Sequence, residues 1–235
     1  SDRALIPRNP GTPSAQYETP YGIIGPPISY GMAATRYMHE YGEDRTRQAM
    51  AEIAVSTRKW ANLNPMAYFY DKTATFEDYH DSRWVAWPFH LLDCCLVTDA
   101  GAAIVITTPE RARDARNGSA KILGAGEGHD HSMISQMPDL TRAFGRKTGP
   151  QALEMAGVSH SDIDLAMIYD SFTFTVLVTL ENLGFCGPGE GPDFVASQRT
   201  APGGDFPLNT NGGGLSYTHP GMYGIFPVVE AARQL

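Results

Sequence analysis

The chain has 235 residues, 42% of them hydrophobic and 19% charged, enough to bury a full core as one large or two small domains. Its formal net charge of −8 argues against nucleic acid as a partner, and an anionic ligand would need local cations rather than a global field. The three cysteines, Cys94, Cys95 and Cys186, make no disulfide framework, no stretch of 18 apolar residues exists, and Ser1-Asp-Arg-Ala-Leu-Ile-Pro-Arg8 lacks the order of a signal peptide. A cytoplasmic protein without a membrane span is expected.

In chain order, residues 1–27 carry Pro7, Pro10, Pro13, Pro20, Pro26 and Pro27 among glycines and read as a loop draped over another part of the molecule. Ser29 is placed to cap a helix through Ala33, Ala34, Tyr37 and Met38, with Gly42 as its stop. A second helix spans Asp44 to about Leu63, with Met50, Ile53, Ala54, Val55 and Trp60 on one side, and ends before Asn64-Pro65. Thr75 and Asp78 have the spacing of a capping box for one or two helical turns reaching Ser82.

Leu91 to Ile106 then reads as two apolar runs around Thr98-Asp-Ala-Gly101, the second a buried strand over residues 102–107. A short helix starts at Pro109, a strand covers Ala120 to Gly124, and a helix runs from about Pro138 to Ala156, stopped by Gly157. Asp164 to Tyr169 is a further short apolar run, and Asp170-Ser171 caps a helix from Phe172 to Leu183 that Gly184 stops. Strands alternating with helices point to an α/β architecture with parallel strands, in which ligands gather at strand C-terminal ends. Tyr169-Asp170 and the glycine-rich turn at Gly212 to His219 both fall there.

That turn, within Pro207 to Gly224, joins Gly212-Gly-Gly214 to Ser216, Tyr217, His219 and Tyr223. A glycine turn before a helix reads either as a tight connection or as free backbone N–H groups at a positive helix end, suited to an oxyanion or a phosphate. His219 is a candidate site residue; Tyr217 and Tyr223 read equally as packed side chains or hydroxyl donors. His129-Asp130-His131 has no third ligand at zinc-like spacing, and no metal is expected. Cys94, Cys95 and Cys186 read as small apolar side chains, and Gly124-Ala-Gly-Glu-Gly128 lacks the full dinucleotide-binding pattern.

Asn209-x-x-Gly212-Gly213-x-x-Ser216-x-x-His219-Pro220-Gly221-x-x-Gly224 resembles the thiolase-superfamily signature, in which a glycine pair precedes Gly-His-Pro; Thr218 replaces the glycine. Tyr169-Asp-Ser-Phe172 stands where thiolases carry Asn-Glu-Ala-Phe. Both substitutions are similar to those of the sterol-carrier/lipid-transfer branch, and the resemblance continues through His39 to Gly42, Leu91 to Cys95 and Leu177 to Cys186.

The resemblance implies an α/β fold of the layered αβαβα thiolase type, lacking part of the N-terminal half and the extreme C-terminus. Residues 1–89 would cover the active site, 90–118 close the N-terminal half, and 119–235 form the C-terminal half. A thiolase's two cysteines would fall outside this chain, and Tyr169 replaces the asparagine that helps hold an oxyanion-hole water. The likeness is greatest to aldolases of steroid side-chain breakdown. These cleave a β-hydroxyacyl-CoA to a ketone and a short acyl-CoA such as propionyl-CoA, without a covalent cysteine adduct.

On that reading Tyr217 or Tyr169 accepts the hydroxyl proton, and His219 with backbone donors of the glycine turn holds the enolate. A tyrosine hydroxyl titrates near pH 10, so proton acceptance near neutrality needs a donor beside it. Asp170 orients or caps, and Asp170, Gly213, Gly214, Ser216 and Tyr223 line the acyl-CoA site. No cofactor is implied beyond the coenzyme A that the substrate carries. A small zinc-ribbon/OB-fold acyl-CoA-binding partner and a homodimer core are implied as well. A thiolase or acyltransferase with cysteines elsewhere, and a non-catalytic lipid or acyl-CoA carrier, are the alternative readings.

Overall fold

The computed structural model describes residues 11–116 and 118–235. Pro7 and Pro10 of the expected N-terminal loop lie outside them. Nine α-helices and one hairpin, besides several 3-10 and π turns, occur among the described residues: α1 (Pro13–Tyr17), α2 (Pro26–Tyr41), α3 (Glu43–Ala61), α4 (Phe76–Asp81), β1 (Trp84–Ala86), β2 (Phe89–His90), α5 (Pro109–Ala112), α6 (Gly145–Ala156), α7 (Thr173–Leu183), α8 (Gly191–Val195) and α9 (Ile225–Gln234). None of these helices is long and apolar enough to cross a membrane.

The molecule is built around α3. Its sequence reads as an amphipathic helix, yet every residue from Ala49 to Arg58 is buried, because α2, α4, α7, α8 and the glycine turn pack around it. Burial on all sides demands partners for its polar side chains. Glu52 accepts from both the backbone and the side chain of Gln198, the Ser56 and Thr200 hydroxyls lie 2.8 Å apart, and Arg58 Nε donates to Ser216 Oγ at 2.9 Å. On the other side, α7 contributes Val176, Leu177 and Leu180, all fully buried, to the same core as Tyr37, Met50 and Ile53.

Local rules set several boundaries as expected. Gly42, Gly157 and Gly184 stop α2, α6 and α7, and α4 carries the full capping box between Thr75 and Asp78. Others move. The helix expected to be capped by Ser29 starts four residues earlier, with Gly25 at its cap, because Pro26 and Pro27 occupy its first turn, where a missing N–H costs nothing. The helix expected from Pro138 starts only at Gly145, since Asp139 instead binds the N–H and hydroxyl of Thr141 in a local turn. The N-terminal loop contains α1, and Glu18 at its end accepts from the N–H and hydroxyl of Ser135.

The largest difference concerns strands. The residues expected as a buried strand at 102–107 form no regular element and no ladder, with Val105 91% and Ile106 73% exposed. Residues 120–124 are likewise unpaired, with Ile122 73% exposed, and Leu91–Asp93 is a single 3-10 turn. A strand exists through its neighbours, and among the described residues none lies beside these runs. The expected parallel pairing survives as one bridge between Ala166 and Leu208, flanked by Ala166 N–H to Pro207 O and Asn209 N–H to Ala166 O, both 3.0 Å. It sets residues 164–169 beside 207–209 and so carries Tyr169-Asp170 to the glycine turn.

Candidate active site

The glycine turn is a five-residue π-helical turn, Gly213–Tyr217, ending before Thr218. Two glycines are required by space as well as by backbone. Gly212 (φ 101°) would bring a Cβ to 2.7 Å from Ala61 Cβ, and Gly213 (φ 63°) would bring one to 2.0 Å from Asp170 Oδ2. The turn therefore sits directly on the end of α3 and on the Asp170 carboxyl group.

Asp170 is fully buried and accepts from Gly214 N–H at 2.6 Å and Leu215 N–H at 3.2 Å. Burial pushes its pKa up to about 7, against the pull of those two N–H groups. It does not cap α7: the first turn there is closed by Thr175, whose Oγ1 receives the Phe172 N–H. The other turn amides are also engaged. Gly213 donates to Asn211 Oδ1, Ser216 and Tyr217 to Gly212 O, Thr218 to Gly213 O, and His219 to Thr98 Oγ1. The expected free amides for an enolate or phosphate are thus absent: the chain's own carboxylate and carbonyls fill the cradle.

What the turn presents outward is a cluster of rings. Tyr169 Oη lies 3.1 Å from His219 Nε2 and accepts the Tyr223 N–H, also at 3.1 Å. The Tyr169 ring meets His219 and Tyr223 edge-on at 5.6 Å each, and His219 stacks on Tyr223. Tyr169 remains 39% exposed, whereas Tyr223 is buried, its hydroxyl bound to Asn211 Oδ1 at 3.0 Å. Burial lowers the His219 pKa, favouring neutral imidazole, and raises that of Tyr223. Tyr217 packs its ring edge-on against Phe226, and Ser216 is buried against Arg58, whose own pKa burial lowers to about 10.

Of the site residues read from the sequence, Tyr169, His219 and Tyr223 meet in one half-open cluster. Asp170, Gly213, Gly214 and Ser216 form the layer beneath it, and Tyr217 stands beside that layer. Burial holds Cys94 at about 12, Cys95 at about 11 and Cys186 at about 12, so all three are protonated thiols near neutrality. His131 Nδ1 is 2.6 Å from Asp130 Oδ1, and no group of three potential metal ligands occurs among the described residues.

Three supporting residues escaped the sequence reading. Asn211 joins Gly213 to Tyr223; Arg58 reaches Ser216 from α3; and Thr98 reaches His219. An asparagine beside Gly212 carries a turn signal that points to the first. Nothing local marks the other two, since their partners are more than a hundred residues away.

The profile of the thiolase C-terminal domain-like family matches residues 126–235. Among curated proteins, the chain is 42% identical to a steroid side-chain-cleaving aldolase of Thermomonospora curvata, over 95% of this chain and 59% of that protein. It is 41% identical to the 17-hydroxy-3-oxo-4-pregnene-20-carboxyl-CoA lyase of Mycobacterium tuberculosis, over 93% and 57%. A solved structure described as Ltp2-ChsH2(DUF35) aldolase superposes with a TM-score of 0.86 at 37% identity, covering 97% of this chain and 60% of that one. The chain spans a little under three fifths of the length of the curated relatives it matches.

Proposed function

We propose that this chain, which belongs to the sterol-carrier thiolase-like branch of the thiolase superfamily, is part of a carbon–carbon lyase that splits a steroid-derived β-hydroxyacyl-CoA by retro-aldol cleavage. The observation that carries this reading is the Tyr169 hydroxyl held between His219 Nε2 and the Tyr223 N–H in a half-open cluster, beside cysteines that burial keeps protonated. Such a pair handles protons; it offers no nucleophile for an acyl-enzyme. In the reaction, Tyr169 Oη takes the proton of the β-hydroxyl while its own proton passes to neutral His219 Nε2, and the Tyr223 N–H steadies charge on the oxygen. The Cα–Cβ bond breaks, Cβ becomes the ketone carbon, and the electron pair enters the thioester as an enolate. The imidazolium then returns its proton to Cα, releasing a short acyl-CoA such as propionyl-CoA and leaving Tyr169 and His219 as they began.

The similarity to a structure described as Ltp2-ChsH2(DUF35) aldolase supports a partner of the DUF35 kind; the proposal takes it to be the small acyl-CoA-binding protein with a zinc ribbon and an OB-type fold that the sequence resemblance implies. A homodimer core and a cytoplasmic location complete the proposal. Full-length protein incubated with a β-hydroxyacyl-CoA tests it. Ketone release that survives alkylation of all cysteines is expected, and Tyr169→Phe should lower kcat by about 10²- to 10⁴-fold, the usual worth of a positioned acid–base group. Ketone release in Tyr169→Phe at the wild-type rate, together with its loss in Tyr217→Phe, would transfer the proton-accepting role to Tyr217. Turnover abolished by alkylation would instead favour a thiolase, and binding without turnover a carrier.

A further inference from the structure

One segment joins the tyrosine motif, the glycine turn and the histidine. After Leu91–Asp93, residues 94–98 run past the tyrosine motif, the glycine turn and the histidine in succession. Cys94 bridges Phe172, Cys95 N–H donates to Ser171 O at 3.0 Å, Leu96 N–H to Gly214 O at 2.9 Å, and Thr98 N–H to His219 O at 3.4 Å. At its end the Thr98 side chain closes the seam. Thr98 Oγ1 accepts the His219 N–H at 2.9 Å and lies 2.8 Å from Thr218 Oγ1. Thr218 is buried, so its hydroxyl depends on that contact.

We infer that Thr98 is a positioning residue: its side-chain oxygen fixes the Thr218-His219 backbone and so sets the reach of His219 Nε2 to Tyr169 Oη. The backbone contacts of residues 95 and 96 hold Ser171 and Gly214 whatever side chains they carry, but the His219 amide is satisfied by the Thr98 hydroxyl. His219 follows the turn and has no regular element to fix it; α9 begins only at Ile225. Without Thr98 Oγ1, one N–H and one buried hydroxyl lose their partner together, and the loop regains freedom where the Tyr169 contact demands fixed geometry.

The consequence for turnover rests on the retro-aldol reading, whereas the geometric claim does not. Thr98→Val keeps shape and removes the hydroxyl; Thr98→Ser keeps the hydroxyl. In the full-length, unliganded protein, the His219 Nε2 resonance, assigned by its loss in His219→Asn, should move toward that of a free imidazole in Thr98→Val and stay in place in Thr98→Ser. With a β-hydroxyacyl-CoA, Thr98→Val should lower kcat about 10- to 100-fold with KM within about twofold, and Thr98→Ser should recover most of the rate. If Thr98→Val does not fold, Thr98→Ala carries the same two measurements. An unmoved His219 resonance in the hydroxyl-less variant overturns the inference. A moved resonance in a protein whose wild type releases no ketone leaves the inference standing and removes the retro-aldol reading instead.

Discussion

Two apolar regions of similar sequence character meet opposite fates in this molecule. The α7 residues Val176, Leu177 and Leu180 and the α3 residues Met50 and Ile53 are sealed in the core. In the stretch from 97 to 123, Val97 is 99% exposed and Val105, Ile106 and Ile122 also face outward. A helix satisfies its own backbone and needs only one apolar neighbour to be worth forming; a strand has both its backbone and its side chains unsatisfied until other strands flank it. The glycine turn belongs with the first region. Its amides are bonded within the chain and its carboxylate is buried, so its geometry is set by packing and does not wait for a ligand.

That contrast can be broken at several points. The largest effect is expected from Leu177→Ala, which empties a fully buried position and should cost about 2 to 5 kcal/mol in urea or thermal unfolding. Next comes Gly213→Ala, whose methyl would overlap the Asp170 carboxylate at a positive φ. It should cost about 1 to 3 kcal/mol, whereas Gly221→Ala, which has a positive φ and open space, should cost less.

Asp170 sharpens the comparison through pH. Its folded pKa of about 7 lies above the ordinary carboxylate value, so between about pH 4 and 7 the folded chain holds a proton that the unfolded chain has released. Stability from this group is full below pH 4 and falls as pH rises through 7. Asp93, raised by burial to about 6, adds a slope of the same sign. Urea midpoints measured across that range should fall with pH, and Asp170→Asn should flatten the upper part of the decline. A midpoint that rises with pH would mean the carboxyl is ionised in the fold. The smallest effect belongs to Val105→Ala, within about 0.5 kcal/mol; a loss above about 2 kcal/mol would show that this run is covered in solution.

The sequence by itself determined the bodies of α2, α3, α4, α6 and α7, the glycine stops of α2, α6 and α7, the capping box at Thr75, and the two motifs, Tyr169-Asp-Ser-Phe172 and the glycine-histidine turn, that carry the family likeness. Those are local signals: period, cap chemistry and a motif each fit within some twenty residues. Only the tertiary structure decided that α3 is buried on every side, that the 102–107 and 120–124 runs stand unpaired, and that the glycine amides serve Asp170, Asn211 and neighbouring carbonyls. It also decided that Tyr169, at 3.1 Å, is the tyrosine whose hydroxyl reaches the His219 ring nitrogen, and that Thr98 receives the His219 N–H. The physical reason is shared. Each of these outcomes depends on which hydrogen-bond donor or apolar face arrives from elsewhere in the chain, and residue type and spacing do not encode that arrival.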